Sequence, residues 1–497
     1  MLFNSIDFML FFPLVTVIYF VLPQRTRWAW LLVASYYFYM CWNVKYVLLI
    51  TLSTCITYVG GLLIGRAEKI EDEVCRRRNK KLWVFLGFAL NLIILFFFKY
   101  FGFFLDNLVL ALSLAGIVFK PPSFDIMLPV GISFYTFQAL SYMVDVYRRE
   151  VLPERNLFRY ALFVSYFPQL VAGPIERSKN LLGQLYEGYE FDPDHVRSGL
   201  LLMLWGMFQK IVIADRLAIF VDYVYNQGNF FNLPGAAVAL ATVFFAFQIY
   251  CDFAGYSNIA IGVARVMGIT LMENFRQPYL ASSVTEFWRR WHISLSTWFR
   301  DYLYIPLGGN RLGMVRKYMN LMFTFLASGL WHGASWNFVI WGGLNGVYQV
   351  ISGLAEPIRK GHRIPHTKCG RLLRQTGRIA VTFCLVDFSW LFFRAPSLST
   401  AYQMLAHMVN NFQPLALKSR IFEMGLGPAD FLVGLAGIMV LVGVDLFCEC
   451  RGSLHPFIIK WSLPVRWAFY LGAVLIVLVL GIYGPEYDAA SFIYFQF

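Results

Sequence analysis

Charge is scarce in this chain. Only 14% of its 497 residues are Asp, Glu, Lys or Arg, against 58% hydrophobic and 18% aromatic. Soluble domains carry about 25% charged residues, so a soluble fold is excluded and a polytopic, all-α integral membrane protein is expected. Cysteine is sparse too: the eight are scattered from Cys41 to Cys450 without metal-knuckle or disulfide-framework spacing, and they read as packing residues. The first apolar run, 8–22, has no basic region before it and no small-residue cleavage site after it, as expected of a retained span. No internal repeat or low-complexity tract is apparent.

The charge that is present reports topology. Net charge is +13, but Lys and Arg collect in short gaps between apolar runs, which argues for cytoplasmic loops and against a nucleic-acid surface. Two such gaps are RAEKIEDEVCRRRNKK (66–81) and the stretch 359–378, which holds seven basic residues and no acid. Counting spans from them puts both termini outside, with about ten full crossings and two re-entrant segments. The expected layout is a single domain: N-terminal helices 1–127, a core 128–356, and C-terminal helices with an outer tail 357–497.

Several apolar runs contain polar groups that hydrocarbon would not tolerate without internal partners. The fourth run, from Leu82, is expected to end in an outer-face amphipathic piece, Asn107 to Phe119. The run Leu128 to Val146 must face protein or a polar cavity. Leu157 to Gly173, broken by Pro168 and by Gly173 with Pro174, reads as re-entrant, with Gln169 and Glu176 as pocket candidates or simple packing groups. Lys210 and Asp215 are too far apart for an i, i+4 contact, so each is expected to reach another helix or an interface. Asp252 and Tyr256 share a helix face; they line a pocket, or Asp252 forms a salt bridge with Arg289, Arg290 or Arg300.

Two of the seven histidines stand out. His292 lies in EFWRRWHISLSTWFRDYLYIPLGGNR (286–311), and the segment Val284 to Tyr304 reads as an amphipathic interfacial helix on the cytoplasmic side, carrying Trp288, Arg289, Arg290, Trp291 and Arg300. Its arginines either rest on headgroups or lead toward the phosphates of an anionic donor. His332 lies in SGLWHGASWNFVIWG (328–342), at the top of a hairpin whose ends are both cytoplasmic. A climb of roughly 15 residues, about 22 Å, sets it deep in the bilayer. Gly333 and Ala334 would leave room beside the ring, with Trp331 and Trp336 as walls and Asn337 as a further pocket candidate. A neutral imidazole in dry surroundings is a good general base; the alternative is a histidine that closes a helix turn.

Together with LPVGISFYTFQALSYMVDVYRRE, FPQLVAGPIER, YCDFAGYSNIAIGVARVMG, ENFRQPY and the terminal FIYFQF, these segments resemble the membrane-bound O-acyltransferase family over nearly the whole chain. The resemblance is to the bacterial branch that acetylates exported polysaccharide such as alginate. It implies a multi-pass protein of the bacterial inner membrane with His332 as the catalytic residue. His292 would be its companion, positioning the donor or stabilising the oxyanion. No permanently bound cofactor and no metal are implied. The acyl donor would be acetyl-CoA, or another acyl carrier, at the cytoplasmic side. An exported hydrolase-like acetyltransferase would complete transfer outside. Tyr494 in the aromatic tail would be a covalent acyl relay or a docking anchor. Transfer of acetyl or D-alanyl groups to teichoic acid or peptidoglycan, and non-enzymatic transport of a lipid-linked sugar, are the alternatives.

Overall fold

The computed structural model describes residues 1–120, 128–226, 230–355, 368–483 and 493; helices dominate, and no strand occurs among the described residues. Seven helices among them are long and apolar enough to cross a membrane, from Tyr46–Ala67 to Leu463–Leu480, and Ile6–Val21 is a shorter apolar helix. Leu463–Leu480 turns bare apolar side chains outward, Leu475 and Leu478 each at 57% exposure. A lipid surround accounts for that; water does not. The chain is a multi-pass membrane protein.

The chain divides into two compact units, Met1–Leu200 with Ala260–Met272, and Leu201–Ile259 with Glu273–Phe497. In the first, Tyr46–Ala67, Glu73–Leu95 and Ile132–Tyr147 form a bundle. Gly60 and Gly87 both abut the Met143 side chain, and Ser53 Oγ donates to Asn91 Oδ1 at 2.5 Å across the bundle. Small residues at such a seam allow close backbone approach, the main source of helix affinity in lipid.

The polar groups of Ile132–Tyr147 are spent inside the protein, as their burial demands. Gln138 donates to Phe163 O at 2.5 Å, and Asp145 accepts from Ser178 Oγ at 2.6 Å. Leu157–Ser165 and Phe167–Leu170 break at Tyr166, next to Pro168, and the Phe167 N–H freed by the break donates to Ser35 Oγ at 3.1 Å. The fourth run continues as expected: Glu73–Leu95 passes through a π-turn, Phe96–Tyr100, into Phe101–Leu114, which takes in most of the anticipated piece from Asn107 onward.

In the second unit, a π-turn at Phe208–Ala214 interrupts the helix that ends in Asp215–Asn226. There the Asp215 N–H donates to Lys210 O, an i+5 bond. This added residue per turn corrects the reading of Lys210 and Asp215: five apart, they meet, with Nζ 2.9 Å from Oδ1. Lys210 also lies 2.6 Å from Asp252 on Gly235–Val266, so Asp252 pairs with a lysine rather than with Arg289, Arg290 or Arg300. The other Asp252 oxygen accepts the Ile493 N–H at 2.8 Å. Tyr256, one turn on, is buried.

Candidate functional site

The residues expected to form one interfacial helix around His292 form three short pieces: Val284–Arg290, Ile293–Phe299 and a π-turn, Arg300–Tyr304. His292 is the hinge between the first two, with φ +43°, a left-handed conformation uncommon outside glycine. Periodicity alone predicts continuity, but this kink turns the imidazole inward to complete burial, and Phe287, Trp288, Trp291, Leu295 and Trp298 are buried with it.

Asn274 fixes the ring. Its Oδ1 receives the Ser294 N–H at 3.4 Å and the Ser294 hydroxyl at 2.9 Å, while its Nδ2 donates to Ser257 Oγ at 3.1 Å. The backbone donor orients the amide, so the His292 Nδ1 that lies 3.0 Å from the same Oδ1 is the N–H donor. The lone pair then sits on Nε2. Burial, reinforced by His332, holds the His292 pKa well below its ordinary value, so the ring is neutral. In this tautomer Nε2 has no proton to give an oxyanion, which leaves donor positioning as the stronger of the two roles expected for His292.

His332 is the last residue of Met314–His332 and is 5% exposed. Its Nδ1 lies 2.7 Å from Ser328 O, one turn back, and because a carbonyl only accepts, this ring too carries its proton on Nδ1 and its lone pair on Nε2. Closing a helix turn, the alternative reading of this histidine, is thus what orients the ring. The two imidazole centroids stand 6.5 Å apart at 79°.

The walls differ from those expected. Trp331 packs edge-on to His332 at 5.0 Å, but Trp336 is 52% exposed. Trp341 at 4.8 Å and Phe393 at 5.7 Å also pack on His332, and Phe253 covers His292 at 4.6 Å. Gly333 does not leave substrate space: a Cβ there would overlap the Phe338 ring, so glycine is needed for packing. Trp288 closes the layer behind, 5.7 Å from Trp341, donating its Nε1–H to Asn345 Oδ1 at 3.2 Å. Trp291 stacks on Phe287 at 5.4 Å.

The remaining candidates are placed as follows. Arg290 pairs with Glu286 at 2.6 Å and with Glu449 at 2.7 Å, Arg300 with Asp301 at 2.7 Å, and Arg289 is exposed. Asn337 donates to Ala395 O at 2.6 Å. Gln169 belongs to the first unit, where it donates to Phe163 O at 3.1 Å. Glu176, in that unit too, accepts the Met272 N–H, and burial raises its carboxyl to about 7. Tyr494 lies outside the described residues. Asn274 was missed although it stands within ENFRQPY, because an amide eighteen residues before His292 carries no periodic signal.

The profile of the MBOAT, membrane-bound O-acyltransferase family, matches residues 148–362. Over its full length the chain is 36% identical to the full length of the probable alginate O-acetylase AlgI of Pseudomonas putida. It is 34% identical to the peptidoglycan O-acetyltransferase of Helicobacter pylori, over 82% of this chain and 80% of that one. The teichoic acid D-alanyltransferase of Streptococcus thermophilus is 30% identical over 53% of this chain and 68% of its own length.

Proposed function

Because the chain belongs to the membrane-bound O-acyltransferase family, we propose that it O-acetylates an exported polysaccharide, taking the acetyl group from acetyl-CoA at the cytoplasmic side of the bacterial inner membrane, with both termini outside. The observation that carries this reading is the matched state of the two imidazoles: each gives its Nδ1–H to a fixed acceptor and keeps its basic nitrogen within an aromatic enclosure. His332 Nε2 takes the proton of the attacking hydroxyl as its oxygen forms a bond to the thioester carbonyl carbon. Collapse of the tetrahedral adduct breaks the carbon–sulfur bond, and the thiolate leaves with a proton returned by the imidazolium. His292, held by Asn274, positions the donor.

Relatives named for acetylating alginate and peptidoglycan support a glycan as the final acceptor; in this proposal an exported hydrolase-like acetyltransferase completes the transfer. The test is thiol release from acetyl-CoA by the purified protein. His332→Ala stops release if the reading holds, and undiminished release in that variant ends it. Tyr494→Phe is the test of the relay: export of acetyl at the normal rate would exclude a covalent intermediate at that hydroxyl.

A further inference from the structure

At one end of the first unit's three-helix bundle, a cavity of about 310 Å³ opens between the start of Glu73–Leu95 and the end of Ile132–Tyr147. Arg76, Arg77, Lys80, Arg148 and Arg149 line it, with Tyr147 and Glu73. Two further acids stand beside these cations. Glu68 pairs with Lys80 at 2.6 Å and with Arg149, and Glu150 lies 3.9 Å from Arg148 while pairing with Lys179 at 3.3 Å. Five cations against three carboxylates leave the cavity positive.

The backbone holds an arginine here at a cost. Arg149 has φ +65°, just past the C-cap of Ile132–Tyr147, and Glu150 N donates to Asp145 O at 2.9 Å. This is the helix-ending arrangement in which glycine is the usual residue, because it has no Cβ to strain. Lys80 is fixed as well, its side chain 8% exposed and its ammonium 5.2 Å from the Tyr147 ring centroid.

Depth identifies the ligand. Tyr46–Ala67 has 22 residues, about 33 Å of helix, enough to cross the hydrocarbon and end among headgroups. In the next helix the apolar stretch begins at Leu82, after the cluster of cations. We propose that this cavity binds the phosphate group of an anionic phospholipid headgroup. Guanidinium forks match phosphate oxygens two at a time, and a basic pocket between membrane helices is the usual form of such a site. Phosphates of a soluble thioester donor share this chemistry, so the test separates the two sources.

The full chain is placed in nanodiscs of phosphatidylcholine with phosphatidylglycerol, and retained lipid is read by native mass spectrometry. Arg76→Gln with Arg77→Gln is the variant, since Arg76 is half-buried and Arg77 exposed. Retention of phosphatidylglycerol should fall about fivefold for each cation removed, and Lys at both positions should restore it. Millimolar coenzyme A should leave retention unchanged. Equal retention in the native chain and the variant overturns the proposal. Displacement of the lipid by coenzyme A overturns the headgroup assignment in favour of a soluble phosphate. Neither result bears on the imidazole pair.

Discussion

The second unit contains two buried polar clusters, and they meet burial in opposite ways. Around Lys210, full charges are neutralised by contact: one ammonium lies 2.9 Å from Asp215 and 2.6 Å from Asp252. Around His292 and His332 the contacts are a neutral amide, a backbone carbonyl and aromatic rings. In each ring a hydrogen bond places the proton on Nδ1 and leaves the lone pair on Nε2. A satisfied ion cluster has its reactivity consumed by its partners, whereas a neutral base in an aromatic enclosure can still take a proton. On the proposed function, the difference separates an architectural core from a reactive one, although burial is nearly the same in both.

Exchanging single groups tests that contrast. The largest effect is expected at His332→Gln, which keeps most of the side-chain volume: acetyl transfer should fall by about 10²- to 10⁴-fold while the unfolding midpoint stays near that of the native protein, measured by thiol release and thermal melts side by side. Lys210→Ala should do the reverse. It strands two carboxylates and should destabilise the fold by about 3–5 kcal/mol, with the surviving folded fraction retaining its turnover per molecule.

Asn274 sharpens the contrast from within the reactive cluster. Asn274→Leu removes the acceptor that sets the His292 tautomer and should slow transfer by roughly 10- to 100-fold, by analogy with groups that orient ligating histidines. Asn274→Asp, which still accepts the Nδ1–H, should recover part of the rate. Equal loss in both variants would mean that Asn274 serves only packing.

The smallest effect concerns pH. His292 is held neutral in the folded chain, while the unfolded chain takes up a proton below about pH 6.5. Its contribution to stability is therefore complete above that pH and shrinks as pH falls, by at most about 1.4 kcal/mol per pH unit. Unfolding of the detergent-solubilised protein at pH 7.5 and 5.5 should show this slope, and His292→Gln should flatten it. An unchanged slope in the variant would place the acid sensitivity elsewhere.

What the sequence determined by itself is whatever depends on composition, short spacing or long ordered strings. Scarce charge and long apolar runs dictated a polytopic helical membrane protein. The break at Tyr166 was legible from Pro168, two residues on, because a proline there cannot donate into the preceding helix. His332 was legible because Trp331, Gly333 and Asn337 are its near neighbours in the chain, and its orienting carbonyl, Ser328 O, is one turn away.

Tertiary structure decided the rest. The π-turn at Phe208–Ala214 adds a residue to one turn and so joins Lys210 to Asp215, a change that a 3.6-residue period cannot register. The left-handed kink at His292 splits a stretch that reads as one amphipathic helix. Trp341 and Phe393 take the place given to Trp336, and Phe338 fills the space beside Gly333. Asn274, from a separate segment, selects which nitrogen of His292 holds the proton. Such choices follow from which chain segments meet in space, and hydrophobic periodicity constrains only which face of a helix is buried, not what lies opposite it.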